Sequence, residues 1–414
     1  MIKINVQRLM KHIKDLSKFG HDPNGGVTRF PFTAEEREAK QYIVHLMKQI
    51  GLEIYEDEIG NLFGKRVGTD SALPSILIGS HLDTVKNGGM FDGALGVLAG
   101  IEILQTMMEQ GIQTRHSISV AAFTDEEGVR FSTGMLGSRA LTGELQEEEL
   151  FQYKDENGIS IADAMVQCGY NPKLVHRARR CSKEFKAFLE LHIEQGKVLE
   201  SEQAPVGIVT GIVGVKWLKV TIRGEEGHAG TTPMAMRKDP VTVAARLIDF
   251  VEQKAQQSDG LRATVGSIRV FPGSINVIPR EVELFFDIRH LSWELICQME
   301  DDIQMFLSAC CNTKGMTFTV EATHELKPVS CSPVLIEAIQ TAAKRTGTKF
   351  LMLPSGAAHD AMILASLTKI GMVFVRSKDG ISHSPLEWSD ADDIEAAANI
   401  LLHALLDIAE AEKM

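Results

Sequence analysis

The strongest constraint on the fold is a change of hydrophobic period along the chain. Through the first half and again near the C-terminus, short β-rich runs alternate with helical stretches, the rhythm of an α/β layer on a largely parallel sheet. Pro74-Ser75-Ile76-Leu77-Ile78-Gly79-Ser80 reads as one buried strand, Ser117–Thr124 as a second and Met372–Val375 as another near the end. After the first strand, Leu98, Ile101, Leu104 and Met108 recur at three- and four-residue intervals and predict one apolar helix face. Beyond the last, Ser389 followed by Asp392 resembles a capping box, opening a helix with Ile394, Ala398, Leu401, Leu405 and Ile408 on one side.

The middle of the chain has another texture. Residues near 210–222, 262–270 and 281–289 alternate like half-buried strands, while 240–257 and 292–312 read as helices, a β-α-β-β-α-β grouping. The expectation is an α/β chain in which a larger domain, 1–211 and 329–414, carries a mixed, mainly parallel sheet flanked by helices. A smaller α+β domain of ferredoxin-like type is inserted at 212–328. A length of 414 residues leaves room for both cores.

Composition removes several function classes. Lys plus Arg total 43 against 55 Asp plus Glu, a net charge of −12 and the wrong sign for gripping a phosphate backbone, so nucleic acid is not an expected partner. The six cysteines form no CxxC pair and are read as reduced thiols. The first residues lack the apolar core of a signal peptide, and no apolar run of about 18 residues occurs, so the expected location is cytoplasmic and away from membranes.

Chemistry-bearing residues gather where these strands end. Gly79-Ser80-His81-Leu82-Asp83 and the following glycine-rich loop with Asp92 lie at the position where open α/β sheets bind ligands. A ligating His needs its second ring nitrogen held by an acceptor, and Asp83 is close enough in sequence to supply a carboxylate. The next strand ends in Thr124-Asp125-Glu126-Glu127. If one glutamate holds a metal, its neighbour points elsewhere and is free to serve as a base. His192 emerges near the end of the alternating run from Phe185, and His383 sits in the turn-rich Asp379-Gly380-Ile381-Ser382-His383-Ser384-Pro385. This mixture of imidazole and carboxylate suits zinc or manganese. Two divalent ions against one bridging Asp, one Glu and three neutral His leave a positive centre, suited to an anionic or polarised ligand. His228 in a glycine-flanked turn, Asn276 in another, Arg289 at a strand end and the Ser355-Gly356 loop are weaker candidates, and His359 is read as structural.

In this order, the segments around His81, Asp92, Glu126-Glu127, His192 and His383 resemble the M20 metallopeptidase-like amidohydrolases. More narrowly, Leu191-His192-Ile193-Glu194-Gln195-Gly196, Gly227-His228-Ala229-Gly230 and Asp379-Gly380-Ile381-Ser382-His383-Ser384 look like the branch of N-carbamoyl-L-amino-acid hydrolases and allantoate amidohydrolases. The likeness covers nearly the whole chain. It implies a binuclear centre, with His81, Asp92 and His192 on one ion and Asp92 bridging to a second held by Glu127 and His383. The ions would be Mn, Zn, Co or Ni. By the same implication Glu126 is the general base, Asp83 orients His81, and Gln195, His228, Asn276, Arg289 and the Gly356 loop bind substrate. His228 would also stabilise the oxyanion. His228 and Asn276 would come from the partner subunit of a homodimer, the inserted domain acting as lid and dimerisation module. A His at position 192, where peptidase relatives carry a carboxylate, favours the ureido-hydrolysing branch. The implied reaction cleaves the ureido C–N bond of a small N-carbamoyl-L-amino acid to L-amino acid, CO2 and ammonia, with allantoate amidohydrolysis as the nearest rival. A dipeptidase or aminoacylase and a metal-dependent amino-acid binder without turnover are the more distant ones.

Overall fold

The structure, a computed structural model, describes residues 1–23 and 25–411. Two compact units emerge, one of residues 1–210 and 331 onward, the other of residues 211–330. In chain order the first contributes strands β1 (Glu53–Glu56), β2 (Leu62–Arg66), β3 (Ser75–His81), β4 (Ile118–Phe123), β5 (Phe185–Ile193) and β6 (Val206–Ile212). The second holds β7 (Gly214–Arg223), β8 (Gly227–His228), β9 (Arg262–Phe271), β10 (Val277–Ile278), β11 (Glu281–His290), β12 (Thr317–Leu326) and the short β13 (Val329–Ser330). The chain then returns to add β14 (Phe350–Ser355) and β15 (Lys369–Val375).

In the first unit the sheet runs β1-β2-β4-β3-β5-β15-β6, with β14 also paired to β6. Its centre, β4-β3-β5-β15, is parallel, while β1, β2 and β6 are antiparallel to their neighbours. A parallel centre covered on both faces needs apolar residues on both faces, and Ile76, Leu77 and Ile78 of β3 are all fully buried. The sheet is therefore mixed with a parallel core and flanked by helices, as the periodicity implied.

Two local expectations need correction. Helix Ala94–Glu109 does not bury a single stripe: Ala94 to Leu104 are buried without a break, whereas Met108 is 42% exposed. The sheet covers one side of this helix, and helices Val6–Leu16 and Ala391–Glu410 cover the rest, so an all-round apolar sequence is required. The Ser389–Asp392 capping box does not form either. Asp390 occupies the N-cap of Ala391–Glu410 without a side-chain cap bond, and the Ser389 hydroxyl donates instead to the Arg376 carbonyl at 2.8 Å. The hydroxyl is held by a tertiary acceptor instead of accepting an N–H of its own helix.

The second unit is a four-stranded antiparallel sheet in the order β12-β7-β11-β9 with helices Pro240–Gln256 and Trp293–Asn312. Leu218, Val220 and Ile222 of β7 join Leu247, Val282, Leu284 and Ile303 in its own core. The run 210–222 is not one strand; it breaks at Val213 between β6 and β7. Among the described residues, no helix is long and apolar enough to cross a membrane.

Candidate active site

Four parallel strands of the first unit end on the same edge, and their ends carry the acids and imidazoles. His81 is the last residue of β3, His192 the penultimate residue of β5, and Glu126 and Glu127 follow β4. Asp92 lies in the loop leading from β3 to helix Ala94–Glu109, and His383 in the loop after β15. Gly93 makes the first junction possible: its φ is +63°, and a Cβ there would lie 2.3 Å from the His81 ring.

Asp92 is the hub. Its Oδ1 lies 3.1 Å from His192 Nε2 and 3.7 Å from His81 Nε2, while its Oδ2 lies 3.3 Å from His383 Nε2. Glu127 Oε1 is 3.5 Å from His383 Nε2, and Glu126 Oε2 is 3.9 Å from His81 Nε2. Two triads capable of holding an ion, His81–Asp92–His192 and Asp92–Glu127–His383, thus share one carboxylate, with ligand atoms within 4.8 Å of one another. His81 Nδ1 is held by the Asp83 main-chain carbonyl at 3.0 Å and His192 Nδ1 by the Ile193 carbonyl at 3.0 Å, which leaves both Nε2 atoms facing Asp92.

Asp83 differs from the expectation that its carboxylate orients His81. The carboxylate is 3.7 Å from His81 Nδ1, and its two oxygens instead accept the main-chain N–H groups of Glu126 (3.2 Å) and Glu127 (3.1 Å). Asp125, at φ +55°, turns the chain so that these two N–H groups follow one another toward Asp83. The main-chain carbonyl satisfies the ring N–H, which leaves both carboxylate oxygens free to accept one amide each.

Electrostatics follow from burial in a crowd of acids. Burial opposes the charge on Asp92, yet His192 and His383 hold its carboxyl well below the usual range. Burial works against a protonated His192, and Asp92 outweighs it, raising the ring to about 9. Contact with Asp92 likewise lifts His383 to about 9. Burial and then Asp92 push Glu127 up to about 8, and burial with Glu127, Asp360, Asp83 and Asp92 raises Glu126 well above an ordinary glutamate. Such a concentration of displaced acids and bases marks a functional site.

The donor set fits divalent ions. Glu127 Oε1 is buried without a hydrogen-bond partner, and His192 Nε2, though 3.1 Å from Asp92 Oδ1, makes no well-formed hydrogen bond. An imidazole nitrogen of one triad and a carboxylate oxygen of the other left in this state are what a cation in each triad would satisfy. Two further groups occur: His81–Glu126–Glu127, which overlaps both triads, and Glu190–His192–His359, which is of another kind. Glu190 accepts from Ser80 Oγ at 2.7 Å and from the Ala361 N–H at 3.3 Å, and His359 Nε2 lies 2.9 Å from Ser355 Oγ. With those bonds made, His359 packs edge-on against His192 at 4.4 Å and buttresses it.

The expected substrate groups are distributed between the units. Gln195, at φ +58°, donates from Nε2 to Asp92 Oδ2 (2.8 Å), and its buried Oε1 has no partner. Gly356 follows β14, in a loop where Ser355 Oγ accepts the Ala357 N–H at 3.2 Å. In the second unit, His228 of β8 is paired with Val277 of β10, and the Asn276 carbonyl accepts the Ala229 N–H at 3.0 Å, so these two residues lie together. His228 Nδ1 accepts from the Gly230 N–H at 3.0 Å, which places its proton on the exposed Nε2. Arg289 binds a carboxylate of its own strand, with Nε and Nη2 at 2.8 and 2.9 Å from the Asp287 oxygens.

Sequence reasoning missed Glu190, Ser382 and Glu387. The first was detectable, because it shares a strand face with His192. The other two carry no local signal.

The family model of Peptidase family M20/M25/M40 matches residues 77–407, and the chain belongs to this family. It is 47% identical over 409 residues to an N-carbamoyl-L-amino acid amidohydrolase of Geobacillus stearothermophilus, spanning 99% of this chain and 100% of that protein. An allantoate amidohydrolase of Bacillus subtilis (strain 168) is 36% identical over 409 residues, 98% of this chain and 99% of the relative. The solved structure of an amidase of the hydantoinase/carbamoylase family from Burkholderia multivorans superposes with a TM-score of 0.93 at 36% identity over 100% of both chains. The protein is a hydrolase that cleaves amide bonds.

Proposed function

We propose that this enzyme hydrolyses N-carbamoyl-L-amino acids on two divalent ions, one held by His81, Asp92 and His192, the other by Asp92, Glu127 and His383. The observation that carries the proposal is the division of Asp92, one oxygen toward each triad, with Glu126 left over 3.9 Å from His81. Higher identity to the carbamoyl-amino-acid relative, 47% against 36% for the allantoate relative, supports the substrate class.

When bound, the ions would bring the pKa of a water toward neutrality and polarise the ureido carbonyl. Glu126 takes the proton of that water as its oxygen attacks the carbonyl carbon, and its raised proton affinity suits the task. The bond from that carbon to the amino-acid nitrogen then breaks, and Glu126 delivers the proton to the nitrogen. The carbamic acid released decomposes to CO2 and ammonia. Asp83 keeps the two glutamates in register through their N–H groups. Gln195 and the Gly356 loop contact the substrate, Arg289 and Asn276 bind its carboxylate, and His228 donates from Nε2 to the developing oxyanion. In this reading His228 and Asn276 come from the second copy in a homodimer, the inserted unit serves as lid and dimerisation module, and the enzyme works in the cytoplasm.

A turnover panel on protein reconstituted separately with Mn, Zn, Co or Ni tests the proposal, using N-carbamoyl-L-methionine, its D-isomer, allantoate and a dipeptide. Ammonia release greatest from the L-carbamoyl compound is expected. Faster turnover of allantoate, or cleavage confined to the dipeptide, overturns the substrate assignment.

A further inference from the structure

Glu387 joins separated parts of the site by hydrogen bonds rather than by a direct ion pair. It is 3% exposed, and its Oε1 accepts the main-chain N–H groups of both Phe91 (2.9 Å) and Asp92 (3.1 Å). Its Oε2 lies 3.2 Å from Ser382 Oγ. That hydroxyl is also 3.2 Å from Asp92 Oδ2 and accepts from Gln195 Nε2 at 3.2 Å. Ser382 directly precedes His383. One buried carboxylate therefore holds the backbone of Asp92 from behind and, through one hydroxyl, the loop that carries His383.

Gly89 supplies an independent sign that the site is shaped around this side chain. A Cβ at position 89 would lie 2.0 Å from Glu387 Oε1, so the glycine leaves the space the carboxylate occupies. A buried carboxylate is costly to keep, and among the described ion pairs none involves Glu387. What it gains is hydrogen bonds from segments that end in proposed metal ligands.

We infer that Glu387 is a positioning residue for the second ion, setting Asp92 and His383 at the spacing a shared cation needs. The inference rests on the proposed reading of Asp92 as the shared ligand. The role is hydrogen-bond acceptance at a fixed place, so an amide oxygen in the same position preserves it.

Chelator competition with Zn(II) alone, followed by elemental analysis, tests this on the full chain and on the Glu387→Ala, Glu387→Gln and Gly89→Ala variants. Glu387→Ala should weaken the second ion roughly 10–100-fold, the usual effect of removing a partner that orients a ligand, and the first, which shares Asp92 but not His383, by a smaller factor. Glu387→Gln should stay within about threefold of wild type for both ions. Gly89→Ala keeps the carboxylate but displaces it, and should weaken the second ion by at least about tenfold. Wild-type affinity in Glu387→Ala, or a glutamine variant as impaired as the alanine one, overturns the inference. If Glu387→Ala does not fold, the other two variants decide: retention by Gln and loss in Gly89→Ala support it, and the opposite pattern refutes it. A wild-type chain that binds fewer than two ions refutes the shared-ligand reading itself, a result distinct from two ions bound equally well with and without Glu387.

Discussion

Acidifying the ion-free protein from pH 7 to pH 6 should weaken metal uptake steeply, and the size of the effect follows from three side chains. Asp92 outweighs burial at His192 and raises it to about 9, contact with Asp92 raises His383 to about 9, and burial with Asp92 raises Glu127 to about 8. All three carry a proton at pH 7, and each must give it up to ligate. Filling the centre then expels about three protons per chain, and the product of the two binding constants falls by about a thousandfold per pH unit in this range. The sign is fixed by competition: the proton occupies the ligand atom, so affinity rises with pH and levels off once pH passes about 9. Calorimetric titration with Zn(II) in buffers of different ionisation enthalpy counts the protons directly, and chelator competition at several pH values gives the slope. Release of fewer than about one proton, or an affinity flat between pH 6 and 8, would refute the claim that these groups are protonated ligands in waiting.

Three further outcomes are expected. Glu126→Gln should keep its full metal content and lose about 10²–10⁴-fold in kcat, because it removes the proposed base but no ligand; loss of an ion instead would place Glu126 among the ligands. Gly93→Ala should displace the His81 ring, which lies 2.3 Å from the new Cβ, and cut affinity for the first ion by at least about tenfold; unchanged Zn(II) competition would contradict the packing argument. Arg29, 1% exposed, donates to the carbonyls of Leu82 (2.6 Å), Phe19 (3.0 Å) and Leu16 (3.2 Å), and Arg29→Met removes all three bonds, leaving only Leu16 with a main-chain donor, the Phe19 N–H. A stability loss of about 3–5 kcal/mol by urea denaturation is expected, and a loss below about 1 kcal/mol would show that water or a rearranged chain replaces the guanidinium.

The parts of the site legible before folding share one property: each is marked by its immediate neighbours. His81 and Glu126-Glu127 end apolar runs, His192 alternates with Glu190 and Phe188, and His383 sits among turn residues. The structure brings all of them around Asp92 because β3, β4, β5 and β15 are parallel and present the same ends to one edge. Where expectation and structure part, a distant partner has taken over a local role. Ser389 bonds Arg376 rather than its own helix, and Asp83 receives two amides from another loop.

Hydrophobic period and the sequence of polar strand ends are written in spacings of a few residues, because burial selects side chains by the geometry of the element they sit on. The α/β class, the inserted β-α-β-β-α-β unit and the membership of each imidazole and carboxylate in one ordered set are of that kind. Only the folded chain decides which acceptor each donor meets. Glu387 and Phe91 are 296 residues apart, and no spacing rule links them. The buttress of His359 on His192 and the clamp on Asp92 arise because a buried polar group must find a partner, and tertiary packing determines which one is within reach.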